Sequence, residues 1–376
     1  MSARILVVNA GSSSLKLRLL DPADDVVASA DLPAVRGIAD ADLVARTVAG
    51  WDGEPVDAVG HRVVHGGSAY AGPALLDQAV LHDIAGLAAL APLHQPKSIA
   101  AIEAVRAVLP DVPHVACFDT AFHATLPAAA ATYALPQEWR ERWGLRRYGF
   151  HGLSHAYASR RAAELSGRAA GSLPGFRVVT CHLGAGASLA AVLGGRSVDT
   201  TMGFTPLEGL VMATRSGDVD PGLLLWLASD QQVPVAELYD ALEHRSGLLG
   251  LGGTDDMRAI LTAAAAGEES GVLALEVYLH RLRAGIASMA ASLSGLDALV
   301  FTGGVGERSA QVRALAAQGL GFLGVTVDHD ANRAEEAADR AISPADAAVR
   351  VYVVPAREEV EIAREVRETV GGQAHP

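Results

Sequence analysis

The chain has 376 residues, half of them apolar and few of them aromatic, with a formal net charge of −13 at pH 7. This length favours two domains, because single cores stop growing beyond roughly 250–300 residues, and the composition is normal for an α/β protein. The acidic balance without a basic stripe argues against a nucleic-acid partner, and no apolar run approaches the ~18 residues that a membrane helix needs.

The N-terminus and the cysteines indicate the compartment. The short apolar run Ile5–Val8 is followed at once by Asn9, which does not fit a secretory signal. Cys117 and Cys181 lie in apolar runs without metal-binding spacing, so we expect buried, reduced thiols. These features predict a cytoplasmic protein with no membrane partner.

Strand-like and helix-like segments alternate along the chain, which is typical of the α/β class. Apolar patterning predicts strands at Ile5–Val8, Leu15–Leu19, Val56–Val59, Val63–Val64, His114–Cys117, Arg177–Cys181, Ala298–Phe301, Gly324–Val327 and Arg350–Val354. Helical spacing predicts helices at Gln95–Val108, Ser154–Leu165, Val272–Leu293 and Ser309–Gln318. Surface connections are expected at Ala162–Pro174 and Ala263–Ser270.

The first two strands flank a serine-rich turn, Gly11–Ser14, which is followed by Lys16, one of only two lysines in the chain. Such a turn directs backbone N–H groups, hydroxyls and an ammonium to one place, which suits phosphate. An ordinary hairpin with a serine-rich tip is the alternative interpretation.

The pattern around the first turn is repeated later in the chain. The segments Val7–Leu15 and Cys181–Leu189 each consist of an apolar strand, a small-residue turn and a returning apolar strand. This repeat predicts a duplicated domain with two phosphate-facing turns, although short Gly/Ser turns also recur by chance.

Further groups suited to phosphoryl transfer follow apolar stretches, in loops where catalytic residues usually sit. These segments are Gly60–Gly67, Ala91–Pro96, Phe118–His123, Gly149–His155 and Thr214–Pro221. Two HxxxH pairs, His61/His65 and His151/His155, raise zinc as an alternative. Neither pair carries the glutamate of HExxH, which argues against it.

A glycine-rich stretch, Gly303–Ser309, follows a predicted strand and partly mimics a dinucleotide-binding unit, with Asp328 as the acidic partner. Ser309 stands where that motif has Gly or Ala, and no hydride-transfer motif accompanies it. A glycine-rich turn beneath a nucleotide explains the same residues. No GxxxxGK[ST] is present, which excludes a P-loop.

Several of these strings closely resemble the acetate kinases, in order from Ile5 to about Glu365. The matching motifs are Asn9–Lys16, Gly60–Gly67, Phe118–His123, Tyr148–Gly152, Met202–Gly209 and Phe301–Glu307. The resemblance implies the duplicated actin-like, sugar-kinase-like (ribonuclease H-like) α/β fold with a cleft between two domains, usually as a homodimer. It implies reversible, direct in-line phosphoryl transfer from ATP to acetate, giving ADP and acetyl phosphate, with Mg²⁺ or in its place Mn²⁺.

The resemblance also implies the domain limits. Residues 1–123 with 360–376 would form an N-terminal domain that binds the acyl and phosphate groups, and residues 124–359 a C-terminal nucleotide-binding domain. The last helix, Val360–Val370, would return to the first domain.

Five catalytic groups carry over from the family. Arg62 and Arg215 should grip the carboxylate and the phosphoryl oxygens, because a guanidinium fork gives paired, directional bonds. His151 would share that charge, and His94 would line the same cavity or be a structural histidine. Asp119 should orient the substrate and its ligating water or arginine rather than act as a base, since acetate is already ionised at neutral pH.

The resemblance assigns the remaining positions by class. The apolar pocket for the methyl group would be Val64, Leu93, Phe150 and Pro206. Mg²⁺, which prefers oxygen ligands and keeps several waters, would be held by Asn9 and Glu358. Glu358 has a structural alternative, as a carboxylate stabilised at a helix start.

Nucleotide contacts would come from Lys16, Ser12, Ser14, His182, Leu183, Gly184, Ala185, Gly186, Asp256, Met257, Arg258, Gly304, Val305, Gly306, Glu307 and Arg308. The sequence departs from the family here. Ala185 and Ala187 stand where Asn and Ser are usual, and Arg308 and Arg357 stand where Asn is usual. A phosphate donor other than ATP, or unusual base selectivity, therefore stays open.

The sequence thus predicts an acetate kinase with small-molecule partners. A propionate kinase or a kinase with a different donor is the near alternative. A nicotinamide-dependent oxidoreductase and an inactive actin-like binding module are the distant ones. The presence of Arg62, Asp119 and Arg215 argues against the inactive module.

Overall fold

The computed structural model of the chain describes residues 3–10, 14–33, 41–51, 55–89, 95–168 and 174–372. The chain divides into two compact units. Unit 1 comprises Met1–Ala124, Phe150–Tyr157 and Arg357–Pro376, and unit 2 comprises Thr125–Gly149 and Ala158–Ala356. The limits expected from the family resemblance, 1–123 with 360–376 and 124–359, stay a prediction of the functional domains.

Unit 1 is built on a six-stranded sheet in the order β3-β2-β1-β4-β6-β5. Its strands are β1 (Ile5–Ala10), β2 (Ser14–Leu20), β3 (Val26–Pro33), β4 (Ala58–Val63), β5 (Ala74–Leu75) and β6 (His114–Phe118). The first three strands are an antiparallel meander, whereas β1, β4 and β6 run parallel. The parallel strands therefore end together at one edge of the sheet.

Unit 2 repeats this arrangement, with a six-stranded sheet in the order β11-β12-β10-β7-β8-β9. Its strands are β7 (Arg177–Leu183), β8 (Ala187–Leu193), β9 (Arg196–Thr200), β10 (Ala298–Thr302), β11 (Arg340–Ala341) and β12 (Arg350–Val353). Strands β7 to β9 form the meander, and β7, β10 and β12 run parallel. Read from its other edge, this order is β9-β8-β7-β10-β12-β11, which matches β3-β2-β1-β4-β6-β5 strand for strand. The duplication predicted from the sequence repeat is confirmed by this match.

Helices surround both sheets. Those that lie wholly in unit 1 are α1 (Ala41–Ala49), α2 (Gln78–Gly86), α3 (Gln95–Val108) and α15 (Glu358–Gly372). Helix α6 (Gly152–Leu165) begins in unit 1 and ends in unit 2, which also holds α4 (Ala128–Ala131), α5 (Gln137–Trp143), α7 (Pro221–Ser229), α8 (Val235–His244), α9 (Gly247–Gly252), α10 (Met257–Ala265), α11 (Glu269–Ser292), α12 (Gly303–Arg308), α13 (Ala310–Gln318) and α14 (His329–Arg333). Within the described ranges no helix is both long enough and apolar enough to cross a membrane.

Helix α15 packs on strands β1, β4 and β6 of unit 1. The close approach requires a glycine in β4, because a Cβ at Gly60 would collide with Ile362 and lie 2.7 Å from a methyl carbon of Val366. The apolar face of this helix, which includes Ile362 and Val366, is buried and covers one side of the unit 1 sheet. The C-terminal segment of the chain is thereby part of the same unit as the first strand.

Several predicted boundaries were wrong. Val56–Val59 and Val63–Val64 are not two strands, because the polar residues between them continue β4, where His61 is buried with its Nε2 2.9 Å from Nδ1 of His114. The predicted strand Gly324–Val327 is reduced to a single bridge between Val325 and Val349.

The predicted connections also contained helix. The described start of Ala162–Pro174 belongs to α6, and the start of Ala263–Ser270 belongs to α10. The predicted helix at Gln95–Val108 is confirmed at both ends. Ser309, predicted as the first residue of a helix, instead caps α13 by accepting a hydrogen bond from the backbone N–H of Val312.

Both cysteines are free and buried, as predicted. Cys117 on β6 contacts Glu365 on α15, and burial raises the pKa of this carboxyl from its ordinary value of 4.5 to about 7, with the charge of nearby Glu361 acting in the same direction. The hydrogen bond with Cys117 opposes this rise. When folding raises the pKa of a carboxyl, the folded protein becomes less stable as the pH increases from the unfolded-state pKa to the folded-state pKa of that group.

We therefore expect Glu365→Gln to stabilise the protein at pH 8 but not at pH 4.5, because glutamine resembles the neutral acid. The gain at pH 8 should be on the order of 3 kcal/mol. Urea unfolding at both pH values measures it. Glu368→Gln, which alters an exposed carboxylate on the same helix, is the control and should change stability by less than about 1 kcal/mol. Equal urea midpoints for Glu365→Gln and the unchanged protein at pH 8 would contradict the prediction.

Candidate active site

Two predicted catalytic residues and one predicted metal ligand of unit 1 lie at the edge where the parallel strands end. Asn9 lies near the end of β1, Arg62 near the end of β4, and Asp119 directly after β6. The carboxyl ends of parallel strands are where ligands bind in open α/β sheets. The topology therefore brings together side chains that are widely separated in the sequence.

The centre of this site is an ion pair between Arg62 and Asp119. Nε of Arg62 lies 3.1 and 3.2 Å from the two carboxylate oxygens, and Nη2 donates to Oδ2 at 2.7 Å. Asp119 is 1% exposed, and its backbone N–H donates to the carbonyl of Val63 at 3.0 Å. The carboxylate is thus fixed by β4 and β6, and it fixes the plane of the guanidinium.

The other side of the guanidinium contacts Glu358 and Asn9. Nη1 of Arg62 lies 3.1 Å from Oε2 of Glu358 and 3.4 Å from Oδ1 of Asn9. Burial alone would lower the pKa of Arg62, but the carboxylates of Asp119 and Glu358 outweigh it and raise that pKa. Arg62 is therefore a permanent cation held between two acids.

His151 directly precedes α6 in an uncommon backbone conformation. Its φ is 57°, a left-handed value that a residue with a side chain rarely adopts. The next residue, Gly152, donates its N–H to the carbonyl of Asp119 at 2.9 Å, and a Cβ there would collide with that oxygen. The backbone of His151 is thus tied to the Arg62–Asp119 pair, and such strain is typical of functional sites.

Phe150 and Val64 lie in the same unit. Phe150 is buried and stacks edge-on against His65, with ring centroids 5.5 Å apart, and its carbonyl accepts a hydrogen bond from His123 Nε2 at 3.1 Å. Burial lowers the pKa of His65 to about 4, so this imidazole is neutral at pH 7. Val64 follows β4 and is half-buried.

The predicted phosphate contacts of the N-terminal turn are described only in part. Lys16 is exposed on β2 and pairs with Asn9 across the antiparallel β1–β2 ladder, so the two side chains share one face of the sheet. Ser14 is the first residue of β2 and is half-buried. The predicted residues Ser12, Leu93 and His94 lie outside the described residues.

Arg215 lies in unit 2 in a loop before α7. Its Nη1 donates to the carbonyl of Pro206 at 2.7 Å, and its Nε lies 3.9 Å from Oε2 of Glu243. Burial lowers the pKa of Arg215, and Glu243 opposes this. Nη2 has no hydrogen-bond partner among the residues that the structure describes, so the guanidinium is oriented at one end and available at the other.

A cavity of about 700 Å³ in unit 2 brings together three predicted nucleotide segments. Predicted residues that line it are Gly184, Ala185, Asp256, Met257, Arg258, Gly304, Val305 and Arg308. Its size is within the range of small-molecule sites. The predicted residues His182, Leu183, Gly186, Gly306 and Glu307 do not line it.

The loops around the cavity explain this split. Leu183 is fully buried, and its backbone packs so closely on Gly303 that a Cβ there would lie 2.8 Å from the carbonyl oxygen of Leu183. Gly306 is buried in α12, and its carbonyl accepts a hydrogen bond from Arg313. Glu307 instead accepts a hydrogen bond from the backbone N–H of Ala356 at 2.9 Å. These residues shape the cavity without facing it.

The departures from the family pattern have different consequences. Ala187 is fully buried in β8, so only Ala185 of the two alanines is exposed to a ligand. Arg357 donates to the carbonyl of Asp24, between β2 and β3, at 2.9 Å. Arg308 is exposed at the cavity rim. Ala185 and Arg308 are therefore the two departures that can change contacts within the cavity.

The dinucleotide-binding interpretation is not supported. Asp328, its acidic partner, caps α14 by accepting hydrogen bonds from the N–H groups of Asp330 and Ala331 at 3.1 and 2.8 Å. The glycine-rich stretch itself forms α12 rather than a turn before a long helix. The carboxylate is therefore committed to a helix N-terminus.

Sequence reasoning missed several residues of both sites. The cavity is also lined by Ala213, Leu248, Asp255, Leu261, Tyr278, Ser309, Ala310 and Gln311. Tyr278 comes from the middle of α11. Nothing in its helical spacing distinguishes it from a core residue. Glu243, the acidic partner of Arg215, lies in α8, which no sequence pattern predicted.

Two copies of one sheet define the duplicated actin-like class of α/β proteins. The chain is similar in structure to known kinases of this class. Acetate kinase from Porphyromonas gingivalis superposes with a TM-score of 0.89 at 34% identity, covering 98% of this chain and 100% of that chain. A propionate kinase from Francisella tularensis gives a TM-score of 0.87 at 36% identity, covering 96% and 98%.

The sequence comparison is equally extensive. The chain belongs to the Acetokinase family, whose pattern matches residues 41–364. It is 45% identical over 391 residues to the acetate kinase of Clavibacter michiganensis, which covers 96% of this chain and 98% of that protein. The acetate kinase of Pseudothermotoga lettingae is 42% identical over 398 residues, covering 98% and 97%. The predicted family and fold are confirmed.

Arg62 is oriented by Asp119, and Arg215 by the carbonyl of Pro206. We expect Arg62→Lys and Arg215→Ala each to reduce turnover by ~10²–10³-fold, the effect of losing one donor to developing charge. Lysine keeps a cation beside Asp119 but has no planar fork, so the variant separates geometry from charge. Arg18→Lys, at an ion pair with Asp31 on the same sheet, is the control. Initial rates of phosphoryl transfer measure the effect, and a rate within a factor of about two of the unchanged protein would remove that arginine from the mechanism.

Proposed function

We propose that this chain transfers the γ-phosphoryl group of ATP to acetate, reversibly and in one in-line step, giving acetyl phosphate and ADP. The observation that carries the proposal is the ion pair of Arg62 with the buried Asp119 at the carboxyl edge of the unit 1 sheet. A fixed guanidinium binds a carboxylate or a phosphoryl group by paired hydrogen bonds. Family membership and the nucleotide-sized cavity of unit 2 support the same reaction.

The side chains act by position and charge. Transfer of a phosphoryl group between two anions needs neutralised charge more than covalent chemistry. Arg62 and Arg215 would bind the carboxylate and the phosphoryl oxygens, and His151 would share the charge that develops on them. Asp119 would hold Arg62 in place. No general base is required, because acetate is ionised at neutral pH.

The site residues fit a magnesium ion. Oδ1 of Asn9 and Oε2 of Glu358 are oxygens of the kind that Mg²⁺ prefers, and they lie 3.4 and 3.1 Å from the same atom, Nη1 of Arg62. Mg²⁺ is commonly held by one or two protein oxygens together with substrate phosphates and water. Bound there, the ion would neutralise phosphate charge. The described ranges hold no cluster of three or more His, Cys, Asp or Glu side chains suited to a metal ion, so a sparse oxygen set is the proposed site.

The acyl pocket would be lined by Val64, Phe150 and Pro206, together with Leu93. A half-buried valine and a buried phenylalanine suit a methyl group. We propose that acetate is preferred and propionate tolerated, since one methylene changes discrimination by only ~10–200-fold.

ATP is the proposed donor, and Arg308 the residue that sets its selectivity. Its exposed guanidinium can stack on a base or reach a phosphate. Arg308→Asn should therefore raise the nucleotide KM several-fold, since such a contact is worth about 0.5–2 kcal/mol. The acetate KM, measured in the same assay, is the internal control. An unchanged nucleotide KM would show that Arg308 does not touch the donor.

The reaction itself is tested by trapping acetyl phosphate with hydroxylamine. ATP, GTP, CTP and pyrophosphate are each titrated against saturating acetate with Mg²⁺. We expect hydroxamate from the nucleotides and none from pyrophosphate. Turnover with pyrophosphate alone would contradict ATP as the donor and leave the carboxylate half of the proposal standing. No product from any donor would contradict the whole proposal.

We propose a homodimer in the cytoplasm. Helix α7 buries none of its residues, and its exposed apolar side chains include Leu223, Leu225 and Trp226, at 45%, 71% and 49% exposure. Tyr239 on α8, a helix that contacts α7, is also exposed, at 44%. Exposed apolar side chains on adjacent helices are typical of homodimer interfaces.

Leu225→Asp should convert the dimer to a monomer, because an ionised carboxylate cannot be buried unpaired at an apolar interface. Sedimentation equilibrium measures the mass. Phe322→Asp, which alters an exposed apolar residue in the short 3₁₀ helix Gly321–Leu323, is the control and should stay dimeric. A monomeric unchanged protein, or a dimeric Leu225→Asp variant, would contradict this assignment.

A further inference from the structure

Glu208 joins three separate segments of unit 2. Tyr133 donates its hydroxyl hydrogen to Oε2, and Arg147 donates from Nη2 to Oε1. The guanidinium of Arg147 also lies over the Tyr133 ring, 5.5 Å from its centroid. The side chains of Glu208 and Arg147 are 33% and 17% exposed, so the pair is largely withdrawn from water. We call these three residues the Glu208 cluster.

The cluster holds the backbone that follows β9. Nη1 of Arg147 donates to the carbonyls of Thr201 and Met202 at 3.1 and 3.0 Å. The hydroxyl oxygen of Tyr133 accepts the N–H of Phe204 at 2.8 Å. Residues 201–204 are thus fixed on both sides of Gly203 by side chains that converge on one carboxylate.

Gly203 shows how closely the cluster passes over this backbone. A Cβ at this position would collide with Oε2 of Glu208 and with the hydroxyl of Tyr133. The carbonyl of Gly203 accepts the N–H groups of Tyr148 and Gly149 at 3.0 and 3.2 Å. The same short segment therefore organises the backbone just before Phe150 in the sequence.

Residues 201–204 are followed closely in the chain by Pro206, which in turn contacts Arg215. The N–H of Gly203 donates to the carbonyl of Thr205 at 3.3 Å, which folds the chain back before Pro206. The carbonyl of Pro206 then accepts Nη1 of Arg215 at 2.7 Å. Because Glu243 lies 3.9 Å from Nε, the Pro206 carbonyl is the shorter of the two contacts that orient this arginine.

We propose that Glu208 is a positioning residue for the acyl acceptor, which acts through Pro206 and Arg215 without touching the reacting atoms. This inference rests on the proposed function, in which Pro206 lines the methyl pocket and Arg215 binds the transferred group. The Glu208 cluster fixes the positions of Pro206 and Arg215 together. Its loss loosens the pocket wall and misplaces the guanidinium, whereas the nucleotide cavity keeps its lining.

The test compares Glu208→Gln, Tyr133→Phe and their double variant with a control, Asp297→Asn. Asp297 also pairs with an arginine of unit 2, with Oδ1 2.6 Å from Nη2 of Arg177, but it has no contact with residues 201–206 among the described hydrogen bonds. The measurements are kcat and KM for acetate and for propionate, equilibrium binding of ADP, and the thermal midpoint.

We expect Glu208→Gln to lower kcat for acetate by about 10²-fold, the effect of a misplacement of ~1 Å. The ratio of kcat/KM for propionate over acetate should rise by about 10-fold, within the span for one methylene. ADP affinity should stay unchanged. Tyr133→Phe should shift the same ratio, and the double variant should be no worse than Glu208→Gln, because the two groups act as one unit. Asp297→Asn should leave the ratio unchanged even where its thermal midpoint falls.

An unchanged propionate-to-acetate ratio in Glu208→Gln would overturn the positioning role, as would an equal shift in Asp297→Asn. If Glu208→Gln does not fold, Tyr133→Phe alone decides, and an unchanged ratio there overturns the proposal. Failure of the proposed function is distinct, since the unchanged protein would then form no acyl hydroxamate from acetate and ATP.

Discussion

The bidentate pair between Arg62 and Asp119 is the interaction on which the rest of the site depends. A guanidinium placed near the end of a buried strand needs a fixed anion, because an unpaired buried charge destabilises a protein by roughly 3–5 kcal/mol. Asp119 is almost fully buried and supplies that anion from the neighbouring strand. Its backbone carbonyl also accepts the N–H of Gly152, so the backbone beside His151 follows from the same residue.

The duplicated sheet explains why two different ligand sites use similar backbone. In each unit a β meander leads into parallel strands, and the polar groups follow the strand ends. In unit 1 those positions carry Asn9, Arg62 and Asp119, which are charged or polar side chains. In unit 2 the corresponding strand ends lead into small residues, such as Gly184 and Gly304, that leave room for a ligand. One architecture thus supports a charged site and an open cavity.

The sequence predicted the parts of the fold with simple local signals. The helix Gln95–Val108 and the repeated strand-turn-strand unit were recognised because apolar spacing and glycine turns report directly on backbone geometry. Apolar patterning alone predicts two strands on either side of His61 and Arg62, whereas the burial of His61 beside His114 keeps β4 continuous. Tertiary contact overrode the local pattern.

Site residues were predictable where they lie in recognisable motifs. They were not predictable where their roles depend on packing against distant parts of the chain. Glu243 is a single carboxylate in a helix without a local signature, and its role depends on its contact with Arg215. Glu208 lies in the recognised motif Met202–Gly209, but its role depends on contacts with Tyr133 and Arg147 that the motif does not show. Conversely, Leu183 and Gly306 belong to recognisable motifs yet are buried and do not line the cavity. A motif locates a segment, but only packing determines which of its side chains are exposed.

The central claim is that Asp119 acts through Arg62 and not as a base. A double-mutant cycle in kcat with Asp119→Asn and Arg62→Lys tests it most directly, since residues that act as one unit give strongly non-additive effects. The account predicts that the double variant is about as slow as the slower single variant, and that kcat of Asp119→Asn has the same pH dependence as that of the unchanged protein. Multiplicative losses in the double variant, or a pH-dependent step that disappears with Asp119→Asn, would contradict it.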